Sequence, residues 1–364
     1  MAEPFENIKL QLAREIDCDR RPKIVPLRAN PWIVSSVLQK SIRRGEIEIA
    51  ERAALSLLAL RGSAIWRRLM VIAFEDIGAG SAEVLDATVA AGTDSTWRRA
   101  SGGDVPVAIH LARVLAEAPK DRSSDYLICG AKDHPSMMSA RRACESRSIT
   151  ENLSAVADQR VPLVDRAMAA WFAGGIERRG SGDLPALLDT FRALGTPEEL
   201  VAATSVAAAR TREPIVIMVP LVWLAANADR QPTVCETPVP ATVVVDGVPL
   251  YAMDKHTRLG REATRRFARE NDAARAQLEA HVPANRRSDA ACMAAFYTDA
   301  APVAKRLMWQ GTAHVETYGT EADMHKAGVP LEAIAPVLQA FRDNLPHLND
   351  VRAEIFARGR AEIR

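Results

Sequence analysis

Apolar residues recur at helical spacing along most of the chain, and the stripes they draw predict a succession of amphipathic helices. Ile33, Val34, Val37, Leu38 and Ile42 share one face of a helix that ends near Gly45. Ile47, Ala50, Ala53, Ala54, Leu57 and Leu58 do the same for a second, ending at Gly62. Ser63 is placed to cap a third, whose Ile65, Leu69, Ile72 and Ala73 face the core before Gly78 stops it, and Ser81 opens a fourth. A Gly/Ser/Thr-rich interval over 91–103 follows, and Asp104-Val105-Pro106 then begins a helix carrying His110 to Ala118. Further helices are predicted over 163–172, 184–194 and 198–210, in the apolar run 214–226, and near 258–280, 289–308 and 331–341.

Breaks in the pattern divide the chain. Residues 1–30 are charged and hold Pro22 and Pro26, so they read as an extended arm. A helical domain over 31–228 follows, then a proline-rich linker over 229–240. The strongest β signal lies beyond it. Residues 241–245 and 248–253 flank Asp246-Gly247, a dipeptide suited to a two-residue hairpin turn, and Pro249 assigns its strand to an edge. The last domain, 241–364, is therefore this hairpin plus helices. The fold class expected is mainly α.

Composition agrees. Hydrophobic residues make up 48% of the 364 and aromatics only 5%, which favours helix-on-helix cores over a β-sandwich. A net charge of +1 leaves no molecule-wide basic field, so any phosphate-binding surface must be local. Arginine doublets are the material for one: Arg20–Arg21, Arg43–Arg44, Arg67–Arg68, Arg98–Arg99, Arg141–Arg142, Arg178–Arg179, Arg265–Arg266 and Arg286–Arg287. Solvated helix faces paired with Asp and Glu account for the same pattern. Five cysteines, scattered singly, point to a reducing compartment and away from structural zinc. With no signal-peptide pattern and no apolar run of the ~20 residues that span a bilayer, a cytoplasmic protein without membrane partners is expected.

Three segments stand out by order and spacing: Ser36-Val-Leu-Gln-Lys-Ser-Ile-Arg43, Trp66-Arg-Arg-Leu-Met-Val-Ile-Ala-Phe-Glu-Asp-Ile-Gly78 and Ala108-Ile-His-Leu-Ala-Arg-Val-Leu-Ala-Glu-Ala-Pro-Lys120. Together they resemble the helical region that follows the ATPase module in the MgsA/RarA family of replication-associated recombination ATPases, which are related to clamp loaders. The resemblance covers residues ~33–130. It implies a collar-like helical domain that self-associates beside DNA or replication proteins, with Lys40, Arg43, Glu75, Asp76, Gly78 and Lys120 as its motif residues. The chain departs from the family in lacking a G-x-x-x-x-G-K-[ST] loop, without which the β- and γ-phosphates of a nucleotide have no cradle. ATP hydrolysis by that mechanism is excluded, and a separate ATPase subunit becomes a possible partner.

Glu75 and Asp76 place two negative charges in the last turn of their helix, against the negative end of its dipole. Compensation is expected from Arg43 and Arg44 or from Arg67 and Arg68, as a structural salt-bridge network. For nucleic acid, Arg43, Arg44, Arg67, Arg68, Arg98 and Arg99 are the candidate contacts. Catalytic candidates are Asp254 and His256, directly after the hairpin. With His314 and His325 they also offer oxygen and imidazole ligands for a metal, although no spacing matches a known metal motif. Capping by Thr257, a turn finished by Asp254 and satisfied surface or boundary histidines account for the same residues and are the preferred reading. Cys292, in an Ala-rich helix, reads as a buried inert thiol.

The leading expectation is a non-enzymatic scaffold or accessory factor of DNA replication and repair, without cofactor, homo-oligomeric and touching nucleic acid through local arginine surfaces. The alternatives are a metal-dependent enzyme centred on Asp254, His256, His314 and His325, and a purely structural oligomer.

Overall fold

Helix dominates as the composition predicts: the computed structural model describes residues 5–18, 24–177, 182–229 and 231–361, and twenty α-helices fill most of them. The doublets Arg20–Arg21 and Arg178–Arg179 lie outside the described residues. Helices Pro31–Arg44 and Ile47–Arg61 run where their stripes place them, and Gly45 (φ 72°) and Gly62 (φ 54°) end them. Ser81 caps Ala82–Thr93 through Val84, and Asp104–Glu117 packs on the first two. Ser63 does not cap the third helix; its backbone is already helical there.

Several expectations are corrected. The first thirty residues are not all extended, because Glu6–Cys18 is a helix. Phe5 just ahead of it and its own Ile8, Leu12 and Ile16 are spaced to pack on the core, a stripe obscured by the prolines after it. Ser123–Asp133, Met138–Ser146, Ile149–Ala157, Thr312–Lys326 and Leu345–Ala361 are helices that periodicity alone did not single out. The segment 258–280 is two helices, Arg258–Glu270 and Asp272–His281, because Asn271 leaves helical geometry and caps the second. The helix expected over 289–308 ends at Ala295, continues as a π-helical turn Phe296–Ala300 and gives way to a strand, Arg306–Met308.

That strand pairs antiparallel with Thr233–Cys235, inside the stretch read as linker. The hairpin forms as predicted, Val244–Val245 against Val248–Pro249, with Asp246 (φ 50°) and Gly247 (φ 80°) both in the left-handed region that such a turn demands.

Residues from Phe5 to Phe356 contribute to one hydrophobic core, so the division drawn at 228 does not separate two cores. The tightest joint between the halves is Ser123–Asp133 against Thr312–Lys326. A Cβ at Gly319 would stand 2.5 Å from Tyr126 Cα, so the helices cross closely only because that side chain is missing. No helix among the described residues is long and apolar enough to cross a membrane.

Candidate functional site

Helix Ala64–Ile72 does not stop at a cap but widens into a π-helical turn, Ala73–Ile77, that carries Glu75 and Asp76. Such turns often mark functional positions because they turn a side chain off the helical register. Gly78 closes it at φ 50°, and a Cβ there would meet the Asp121 carbonyl oxygen at 2.6 Å, which explains the glycine at the end of this segment.

The two carboxylates meet cations from two other elements. Arg43, from Pro31–Arg44, donates from Nε to Asp76 Oδ1 at 2.7 Å and from Nη2 to Glu75 Oε1 at 3.1 Å. Arg122 lies with its Nε 3.2 Å from Asp76 and its Nη2 3.6 Å from Glu75, and Gln39 Nε2 donates to Asp76 Oδ2 at 2.9 Å. Asp76, Arg43 and Arg122 are buried. Burial opposes ionisation of Glu75, but Arg43, Arg122 and Arg68 outweigh it and hold the carboxyl down at about 2. The expected network is therefore present through Arg43. Arg122 is a member that sequence reasoning missed, one residue beyond the third segment's neighbour Asp121.

Arg43 also reaches the other half. Its Nη1 donates to the Ala300 carbonyl at 2.6 Å, in the second π-helical turn, and its guanidinium lies 5.7 Å from the centre of the Phe296 ring. Arg122 at 5.9 Å and Lys255 at 4.1 Å approach the same ring, so three cations share one aromatic face or edge. On the open side stand Glu75, Asp125 and Asp323, each partly exposed. Burial, reinforced by Glu75 and Asp323, pushes the Asp125 carboxyl up to about 7 against the pull of Arg122.

Asp254 and His256 come together as a pair. His256 Nδ1 lies 2.9 Å from Asp254 Oδ2, its backbone N–H donates to Oδ1 at 3.1 Å, and Lys40 Nζ sits 2.9 Å from Oδ2. Burial disfavours the Asp254 charge, yet Lys40 and His256 hold it well below the ordinary carboxylate range. The His256 side chain is 60% exposed but flanked by enough protein that desolvation lowers its pKa despite Asp254. Lys40 is tied further into the fold by Ser36 Oγ at 2.8 Å, itself donating to the Ala252 carbonyl.

The metal candidates do not converge. Among the described residues no group of three or more His, Cys, Asp and Glu side chains is arranged to hold a metal ion. His314 packs near Tyr318, and His325 is in the last turn of its helix. The more engaged histidine is His134, stacked 3.8 Å from the Tyr318 ring and 3.2 Å from Glu321. Burial pushes the Cys292 thiol up to about 11, the inert behaviour its surroundings predict.

The nucleic-acid candidates divide by burial. Arg43, Arg44 and Arg98 are not surface groups. Arg44 pairs with Glu46 at 3.1 Å, donates to the Asp299 carbonyl and lies 4.6 Å from the Tyr251 ring. Arg98 bonds Asp104 at 2.8 Å and stacks 4.1 Å from the Trp66 ring. Arg68 donates to Gln39 inside the network. Only Arg67, bound to Glu213 and the Thr211 carbonyl, and Arg99 present exposed side chains. Consecutive helix positions point only about 100° apart, so Arg67–Arg68 and Arg98–Arg99 each split between a more exposed and a more buried side chain while Arg43 and Arg44 are both buried, and adjacency in sequence did not make a patch.

Lys120 is wholly buried and donates to the Ala116 and Ala118 carbonyls, both at 2.6 Å, at the end of Asp104–Glu117. It thus satisfies carbonyls a helix end leaves open. Burial pushes its ammonium down to about 7. Comparison with protein-family models, curated proteins and solved structures finds no match to this chain.

Proposed function

We propose that the chain is a non-enzymatic helical scaffold or accessory factor of DNA replication and repair, of the kind formed by the helical region beyond the ATPase module in the MgsA/RarA family. One observation carries the reading: the three segments that bear the resemblance meet at one point. Arg43 of the first holds Asp76 of the second, and Gly78 of the second lies against the Asp121 carbonyl beside Lys120 of the third. The motif residues thus have a shared structural task, which is the behaviour of a retained scaffold. Self-association, replication proteins and a separate ATPase subunit are part of the same proposal.

Phosphate contact in this reading falls to Arg67 and Arg99, since the other four arginines are committed inside the fold. Light scattering and fluorescence anisotropy with single-stranded and duplex DNA test it. A defined oligomer that binds DNA, with affinity falling as salt rises and a shallower salt slope in Arg67→Ala/Arg99→Ala, supports it. A monomer indifferent to DNA at low salt rejects it, and an oligomer indifferent to DNA would leave a purely structural assembly.

The Asp254–His256 pair favours a second reading. Asp254 on Nδ1 fixes the tautomer whose Nε2 is an acceptor, and a neutral, exposed Nε2 is the state a general base needs. Hydrolytic activity that disappears in His256→Ala, while stability is kept, would move the assignment to an enzyme.

A further inference from the structure

Helices Arg258–Glu270, Asp272–His281 and Arg287–Ala295 enclose a half-open cavity of about 330 Å³ far from the motif residues in sequence. Its charged wall is Arg265, Arg269, Arg275 and Arg287, against Glu279 as the one acidic lining residue. Its floor is Ala268, Leu278 and Ala291.

The anchoring of these arginines differs from that of their neighbours. Arg266, on the outer face of the same helix, is met by two carboxylates, Glu270 at 2.8 Å and Glu354 at 2.7 Å. In the cavity, Arg265 Nε donates to Ser288 Oγ at 2.7 Å, and Arg287 Nε donates to the Val282 carbonyl at 3.1 Å. Arg275 donates to the Arg269 carbonyl at 2.7 Å while pairing with Asp272, and Glu279 stands 4.0 Å from Arg287. The Arg269 guanidinium itself has no hydrogen-bond or ion-pair partner among the described residues. Arg275 and Arg287 are partly offset by Asp272 and Glu279, but Arg265 and Arg269 meet no carboxylate among the described residues, and a neutral acceptor fixes the direction of a guanidinium without cancelling its charge, so their side of the wall keeps a positive potential and free N–H groups. The first turn of Arg287–Ala295 adds the positive end of its dipole.

We infer that this cavity is a binding site for a phosphorylated small organic group of the nucleotide class. The guanidinium wall suits a phosphate, which arginine binds through paired N–H groups. The volume lies at the lower end of the ~300–1,000 Å³ of small-ligand pockets, more than a bare phosphate fills. The apolar floor, and guanidinium planes that stack on rings, suit a base. The phosphate and base belong to a free mononucleotide or to one unit of single-stranded nucleic acid. The inference is independent of the scaffold reading, which concerns Arg67 and Arg99.

Calorimetric titration of the full chain with AMP, with inorganic phosphate and with oligothymidylate tests it. AMP is expected to bind one to one and more tightly than phosphate. Arg269→Ala and Arg265→Ala are each expected to weaken it about tenfold, the loss of one charge-assisted hydrogen bond, with an unchanged melting temperature. Displacement of AMP by oligothymidylate assigns the site to nucleic acid, and its failure assigns it to free nucleotide; either outcome upholds the site. Absence of AMP binding at low salt, or binding unaffected by both substitutions, overturns it.

Discussion

Lys40 and Asp254 face each other at 2.9 Å, both buried, and join the helix Pro31–Arg44 to the turn ahead of Arg258–Glu270. The ion pair ties residues more than two hundred positions apart, so it acts on the whole fold rather than on one helix.

Removing one partner should be costly, because it strands a charge without water. Lys40→Met is expected to destabilise the protein by about 3–5 kcal/mol, whereas His256→Ala, which leaves Lys40 on Asp254, should cost ~1 kcal/mol or less. Urea unfolding of the two variants checks the ranking, and equal losses would refute it.

Lys120 predicts a pH dependence. Its folded-state pKa is lowered from 10.5 to about 7, so between those values the unfolded chain binds the proton and the folded chain does not. Its contribution to stability therefore rises with pH from about 7 upward. Relative to Lys120→Met, the wild type should gain on the order of 1 kcal/mol per pH unit between pH 7 and 9. Parallel stability curves for the two proteins would show that Lys120 stays charged.

Asp86, on Ala82–Thr93, has the opposite sign. Burial, with Glu199 and Glu83 nearby, pushes its carboxyl up to about 7, and one of its oxygens is buried without a hydrogen-bond partner. The folded state keeps a proton that the unfolded chain releases above 3.8, so stability is lost as pH rises toward about 7. Asp86→Asn should remove that loss and stabilise the protein at pH 8 by on the order of 2 kcal/mol while changing little at pH 4. Thermal melts at both values decide it.

Gly78→Ala should destabilise by more than about 2 kcal/mol, since it combines a left-handed φ with a Cβ only 2.6 Å from a backbone oxygen. Calorimetry showing a normal melting temperature would mean that the π-helical turn is free to shift.

Much of this fold was legible in the residues, and the illegible parts have physical causes. Stripes such as Ile33 to Ile42 and the Asp246-Gly247 turn depend on local spacing, and both appear where expected. Arg43 meeting Glu75 and Asp76 was legible too, because two acids at a helix end require a cation. Arg122 on Asp76 was not, nor was the buried ion pair of Arg352 with Asp299, since in each the partner comes from a distant chain segment. The Arg306–Met308 strand was hidden because its pairing partner, Thr233–Cys235, lies some seventy residues away and each is only three residues long. The arginine cavity likewise depends on how three helices cross, which adjacency of doublets does not reveal.

The claim that the motif residues form an internal lock rather than a nucleic-acid surface rests on Arg43 and Asp76. Its most direct test is a double-mutant cycle of Arg43→Met and Asp76→Leu, read by urea unfolding alongside DNA affinity at low salt. The account predicts that each single change costs about 3–5 kcal/mol, that the pair together costs at least ~2 kcal/mol less than their sum, and that DNA affinity is unchanged in the variants that fold. Additive, small losses in stability accompanied by loss of DNA binding in Arg43→Met would contradict it.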